Sequence, residues 1–316
     1  MSIASSIGAR CAQALIMAWA SATLCFLFVH ALPGDLALRV AAARVGEDRV
    51  TQETAARIRL EEGLDRPLAV QYARWLSRLA QGDLGVSLVT RKPVIEELAY
   101  HGRLTLILGL AGWALSYLIA LPIGVIAGCR PNGLLDRMVT LCSVALASLP
   151  TFMVGLGLIS LFALTLRWLP PAGFRTEAHL ILPATTLALG LAAYSVRVIR
   201  DAVEQVRGAF YMTFSRIKGL SAGAALRRHG ARNAAIPIAT FAALQFAYVV
   251  DGFVVVETLF NYPGLGELLV KALLARDVPI IMGASLMIGL AFALIMLAAD
   301  LACAALDPRR TVAEQA

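Results

Sequence analysis

With 316 residues, of which 59% are hydrophobic and 16% charged, and a mean hydropathy of +0.74, the chain reads as an integral membrane protein rather than one or two soluble domains. Its net charge is +7, and the stretch 197–237 holds eight bases against two acids, so +6 of that charge is concentrated in one place. Cys11, Cys25, Cys129, Cys142 and Cys303 lie in or beside apolar runs without a C-x-x-C spacing, which makes them small buried hydrophobes rather than disulfides or metal ligands.

Arg10 precedes a first apolar run, 11–33, long enough to cross about 30 Å of hydrocarbon at about 1.5 Å per residue. A cleaved signal peptide is the alternative; the length of the run and the lack of a small-x-small cleavage site speak against it. From 34 to 103 the chain is polar, with eleven bases and ten acids. Gly63 closes a helix that begins near Thr51, Pro67 suits the first turn of the next, and Leu68, Tyr72, Trp75, Leu76 and Leu79 form one apolar face. That face could lie on the membrane surface, on the rest of its own segment or on a partner, and the first two are favoured.

Further apolar runs at 104–129, 138–166, 179–196, 234–256 and 279–302 bring the expected spans to six. Pro122, Pro150 and Pro183 sit inside these runs, where each frees a carbonyl and permits either a packing kink or a hinge beside a gate. Residues 167–177 and 257–278 are expected as external loops. Six spans put both termini on one side, and the positive-inside rule makes that side the cytoplasm. The bases of 34–103 do not conflict, because loops beyond about 60 residues translocate largely regardless of charge. Asp251 is placed deep in an apolar run and should face protein or water rather than lipid. It could line a translocation path or pair with a polar group on a neighbouring helix.

The stretch 197–237 reads as a helical elbow. Residues 201–218 have helix-forming composition, Gly219 can take the left-handed C-cap conformation, and Ser221 can N-cap a second helix toward Ile236. An ordinary loop made basic by membrane topology is the plainer alternative. The run Tyr211-Met212-Thr213-Phe214-Ser215-Arg216-Ile217-Lys218-Gly219-Leu220-Ser221, followed by His229, Arg232, Asn233 and Pro237, resembles the EAA loop of binding-protein-dependent ABC importer permeases, in the dipeptide, oligopeptide and nickel branch. Ser215 and Ile217 stand where that branch usually has alanines. Pro33-Gly34-Asp35, the run Gly63 to Leu68, Gln71-Tyr72, Trp75-Leu76 and the segment Gly82 to Ser87 carry the same resemblance, as do Glu257, Phe260, Pro263, Gly264, Leu265 and Gly266, and then Asp300 with Leu306-Asp307-Pro308-Arg309.

The resemblance implies an all-α polytopic membrane protein with the type I ABC importer permease fold. An N-terminal transmembrane helix (1–33) precedes an external helical segment (34–95), a permease domain (96–305) and a cytoplasmic tail (306–316). It makes the elbow the coupling helix, a knob seated in an ATPase subunit, with Tyr211, Ser215, Arg216, Lys218, Gly219, Leu220, Ser221, His229, Arg232 and Asn233 as its residues. It also makes Glu257, Phe260, Pro263 and Gly264 candidates for the translocation path, the turn at Pro263-Gly264 being anchored by Phe260 and Leu265. Asp251 is a path candidate by its place in the apolar run alone, since that position is usually small and uncharged in the branch. The implied partners are a second permease subunit, two ABC ATPase subunits holding ATP and Mg, an extracytoplasmic binding protein and the lipid bilayer, with no nucleic acid.

The chain contains no G-x-x-x-x-G-K-[ST], H-E-x-x-H or G-x-S-x-G, so neither ATP hydrolysis nor any cofactor is expected on it. His30, His101, His179 and His229 are not spaced as metal ligands. The function implied is a permease of the cell inner membrane importing di- or oligopeptides, with nickel or a nickel chelate as second choice. A membrane receptor or assembly protein without transport is the alternative from another class.

Overall fold

A computed structural model of the chain describes residues 3–306, without side chains at 3–11, 14, 47, 247–251 and 303–306. Among the described residues it is helical, with one isolated β-bridge, Val86 to Pro93. The helices in chain order are α1 (Ile3–Ala31), α2 (Leu36–Val45), α3 (Gln52–Glu62), α4 (Leu68–Leu79), α5 (Val94–Gly128), α6 (Leu134–Ser148) and α7 (Thr151–Leu158). They continue with α8 (Ala178–Gly208), α9 (Phe210–Ile217), α10 (Ala222–Ala225), α11 (Ala231–Leu259), α12 (Leu265–Ala275) and α13 (Val278–Leu306). A π-helical stretch, Ile159–Thr165, extends α7, and another, Leu226–Gly230, joins α10 to α11. The chain divides into two compact units, Met1–Thr105 with Pro263–Leu294 and Leu106–Tyr262 with Ile295–Ala316.

In the first unit, α1 has 29 residues, about 43 Å at about 1.5 Å each. Ala18, Ala22, Phe26 and Val29 form its buried stripe, while Leu15, Ile16, Met17, Leu24, Leu27 and Phe28 remain exposed, the pattern of a helix with one protein-facing and one lipid-facing side. The chain then turns by 93° into α2. Gly34 makes this corner with φ +103°, and Asp35 caps α2 by accepting from the Ala37 amide at 2.9 Å. Thr51 caps α3 through the Thr54 amide at 3.1 Å, and Gly63 ends it in the left-handed conformation, as its sequence suggested.

The apolar face of α4 is split. Tyr72, Trp75 and Leu79 pack on Phe26, Val278 and Met282 within the same unit, whereas Leu68 and Leu76 stay exposed. Beyond α4, Gly82 and Gly85 both take positive φ, and Asp83 accepts from the Gly85 amide at 2.8 Å, which is turn chemistry. The buried Asp277 carboxylate ties that loop down. It accepts from the Leu88 and Val89 amides at 3.0 and 3.2 Å and from the Ser87 hydroxyl.

In the second unit, glycines set the distance between α5 and α8. A Cβ on Gly124 would come within 2.9 Å of the Val196 carbonyl oxygen, and one on Gly128 within 2.5 Å of that of Arg200. This is the small-xxx-small spacing that lets membrane helices approach closely. Pro122, Pro183 and Pro237 lie inside continuous helices. Pro150 does not: Leu149 before it is extended (ψ 130°), as the residue preceding proline prefers, and α6 meets the next helix at 102°. The long run 138–166, in which Pro150 permitted a bend, is therefore a broken span.

Among the described residues three helices, α5, α8 and Val278–Ala302 of α13, are long and apolar enough to cross a membrane, or up to five spans if each bent pair counts as one. The remaining expected span, 234–256, lies in the 29-residue α11, which contains the undescribed side chains 247–251.

Candidate functional site

The elbow begins with a break that composition does not announce. Helix α8 stops at Gly208, Ala209 is extended (φ −70°, ψ 144°), and α9 starts afresh at Phe210, so the continuous helix expected over 201–218 is two. Gly208 is a weak helix former. Helix α9 closes on Gly219, at φ +90°: the Gly219 amide donates to the Arg216 carbonyl at 2.9 Å and the Leu220 amide to that of Ser215 at 3.2 Å, so the last turn's carbonyls are satisfied. Ser221 then caps α10, its hydroxyl accepting from the Ala224 amide at 3.3 Å.

Met212 and Ala225 hold the elbow to its supports. They are buried with Ala202, Val203, Val206 and Ala234, so both arms rest on α8 and the start of α11. Gly230 fits there because a Cβ would come 2.9 Å from Val206 Cγ1. The Ser215 side chain is buried and donates to the Tyr211 carbonyl at 2.8 Å. Asn233 Nδ2 donates to the His229 carbonyl at 3.2 Å, across the π-helical stretch, a distortion frequent at functional sites.

The opposite surface is left open. Phe210 and Ile217 are 85% and 78% exposed, and Tyr211 and Phe214 are exposed beside them. Lys218 Nζ lies 4.5 Å from the Phe214 ring centroid, a cation–π contact. Arg216, Arg227, Arg228 and Arg232 make no ion pair among the described residues. Upstream, Arg200 is fully engaged. It forms a two-pronged pair with the buried Asp136 at 2.8 and 2.7 Å, reaches Asp201 at 2.9 Å and contacts Glu204. The Asn132 amide also donates to Asp136, at 2.9 Å. Sequence reading missed this brace, because 64 positions separate its two halves.

The second candidate region, Glu257 to Gly264, is tightly packed. Glu257, Phe260 and Tyr262 are buried, the Tyr262 amide donates to the Glu257 carbonyl at 2.8 Å, and the Gly173 amide donates to that of Phe260 at 2.8 Å. The turn expected at Pro263-Gly264 has its left-handed residue upstream, at Asn261 with φ +46°; Gly264 is extended and caps α12. The Pro263 carbonyl lies 2.9 Å from His101 Nδ1. Phe260 and Leu265 are buried as the expected anchors. Asp251 belongs to α11 but its side chain lies outside the described residues, as do Asp307, Pro308 and Arg309 altogether.

One buried polar group in the apolar interior carried no local signal. The Ser195 hydroxyl donates to Gln245 Oε1 at 2.9 Å and Gln245 Nε2 donates to the Leu191 carbonyl at 2.9 Å, joining α8 to α11 where an unpaired amide would be costly.

Residues 120–312 match the family described as binding-protein-dependent transport system inner membrane component. The glutathione transport system permease protein GsiC of Pectobacterium atrosepticum is 39% identical over 285 residues, covering 90% of this chain and 92% of the relative. The protein of the same description from Salmonella typhimurium is 38% identical over 287 residues, 91% and 92% of the two chains. That from Escherichia coli O6:H1 is 39% identical over 285 residues, 90% and 92%.

Proposed function

Because the chain belongs to the family of binding-protein-dependent transport system inner membrane components, we propose that it forms one half of the membrane pathway of an ATP-driven importer of small peptides of the glutathione class. A second permease subunit completes the pathway, two ABC ATPase subunits bind ATP and Mg, and an extracytoplasmic binding protein delivers the substrate. Both termini and the elbow face the cytoplasm, and 34–95 forms the external segment between the first helix and the 96–305 permease domain.

The observation that carries the coupling role is the two-sided elbow. Met212 and Ala225 fix it to α8 and α11, while Phe210, Phe214 and Ile217 are apolar, adjacent and exposed, which marks a partner surface. A short capped helix with a buried base moves as a body, so displacement of the ATPase is passed to α8 and α11. In this role Tyr211, Ser215, Gly219, Leu220 and Ser221 shape the knob, Arg216, Lys218 and Arg232 meet the partner, and His229 and Asn233 hold the return turn. Closure of the ATPase pair draws the two elbows together and opens the pathway outward; hydrolysis resets it inward. Glu257, Phe260, Pro263 and Gly264 form the packed corner that borders the pathway, with Asp251 deeper along α11.

The test of substrate class is uptake. Proteoliposomes holding this chain with its partner subunits, given the binding protein and ATP, should accumulate labelled glutathione, with unlabelled tripeptide competing and free amino acids not. Equal uptake in the absence of ATP or binding protein, or accumulation of nickel in place of the peptide, would contradict the reading.

A further inference from the structure

The first unit carries a half-open cavity of about 340 Å³, within the roughly 300–1,000 Å³ range of small-ligand sites. Its wall combines two chemistries. Phe26 of α1 and Val278 and Met282 of α13 form an apolar side, and Arg74, Arg78 and Arg91 with Glu62 form a polar one. Arg91 is already matched, contacting Glu61 at 3.0 Å and Glu62 at 3.1 Å, and Glu62 also holds Arg44 at 2.9 Å. Arg74 and Arg78 make no ion pair among the described residues.

Two glycines bring these guanidinium groups to the rim. Gly63 and Gly85 both line the cavity and both have positive φ. An Arg74 nitrogen lies 3.6 Å from the place a Cβ on Gly63 would occupy, and an Arg78 nitrogen 3.8 Å from that on Gly85. Arg66 Nε approaches Gly63 as closely, at 3.4 Å. The acid nearest in sequence to Gly85, Asp83, is spent on the Gly85 amide. Trp75, also in the wall, has a buried indole N–H with no hydrogen-bond partner among the described residues, a donor that a polar occupant would satisfy.

The cavity's height in the bilayer narrows the occupant. Phe26 is in the last turns of α1, which ends at Ala31, and Val278 opens α13. Both helices therefore meet the cavity at one membrane boundary, where phosphate headgroups lie and tryptophan is enriched. Arginine forks suit phosphate oxygens, and the exposed Leu27 and Phe28 of α1 offer apolar surface to an acyl chain beside Phe26.

We propose that this cavity binds the headgroup of an anionic phospholipid, its phosphate held by Arg74 and Arg78 and its glycerol backbone against Phe26, Trp75 and Met282. Native mass spectrometry of the full chain in detergent tests it with three probes: dioleoyl phosphatidylglycerol, dioleoyl phosphatidylcholine and inorganic phosphate. Wild type should retain phosphatidylglycerol about tenfold better than phosphatidylcholine, and Arg74→Gln with Arg78→Gln should abolish that preference. Val86→Glu, which adds an acid to the same wall without removing either arginine, should abolish it too, while Arg57→Gln on the exposed face of α3 should keep it. Equal loss in Arg57→Gln would reduce the effect to overall charge and overturn the site. Displacement of phosphatidylglycerol by equimolar phosphate would assign the arginines to a free anion and overturn the lipid. An unchanged preference in both cavity variants, each melting like wild type, would also overturn it.

Discussion

Two corners of this chain are turned by a glycine at positive φ, Gly34 at +103° and Gly219 at +90°, and they are held in opposite ways. Around Gly34 the polar groups are satisfied from within: the buried Arg276 guanidinium donates to the carbonyls of Leu32, at 3.4 Å, of Gly34, at 3.0 Å, and of Pro33. Around Gly219 local caps, from the backbone and the Ser221 hydroxyl, and the buried Met212 and Ala225 fix the turn; Phe210, Phe214 and Ile217 face outward. The first corner is a scaffold closed upon itself, whereas the second leaves Phe210, Phe214 and Ile217 exposed, the face the proposed coupling role would cover. Damage to the first should appear as lost stability, and damage to the second as lost coupling in a stable protein.

The largest effect is expected from Arg276→Ala. Three carbonyls would lose a charged donor in a buried setting, costing about 3 kcal/mol or more, and thermal melting of the detergent-purified chain should show it together with poor accumulation in the membrane. Asp277→Ala should follow at about 2–3 kcal/mol, since the Leu88 amide loses its acceptor and the Val89 amide and Ser87 hydroxyl lose a charged one. If either variant melted like wild type, the scaffold half of the comparison would fail.

At the elbow the stability effects shrink. Gly219→Ala has open space for its Cβ, so only the backbone conformation resists, at about 1–2 kcal/mol. Ser221→Ala should cost about 1 kcal/mol through the lost cap. Ile217→Asp should change melting by less than about 0.5 kcal/mol, as an exposed position does, and yet reduce binding-protein-stimulated ATP hydrolysis by about tenfold or more through a charge in a docked apolar surface. Normal stimulated hydrolysis in Ile217→Asp would dissolve the contrast between the corners from its other side.

What was legible in the sequence was local chemistry. Gly63, Gly219, Thr51 and Ser221 act as the caps their types suggest, because a cap is decided within a few residues, and the long apolar runs form helices because bilayer thickness sets their length. The proline at 150 was visible, but not that it would break a helix while Pro122, Pro183 and Pro237 would not; packing of neighbouring helices decides that. The break at Ala209 and the π-helical stretch at Leu226–Gly230 leave equally little local trace. The Asp136–Arg200 pair, the Ser195–Gln245 pair and the Asp277 anchor join residues 50 to 190 positions apart, and single-sequence periodicity carries no information at that range.

The central claim is that the elbow's exposed face is seated on an ATPase subunit. A cysteine at Ile217, in a chain whose native cysteines are replaced, should form a short-linker adduct with that subunit in native membranes, in a yield that changes when ATP is added. A complex that purifies intact yet gives no adduct from Ile217, or gives it equally from a cysteine at the bilayer-facing Leu118, would contradict it.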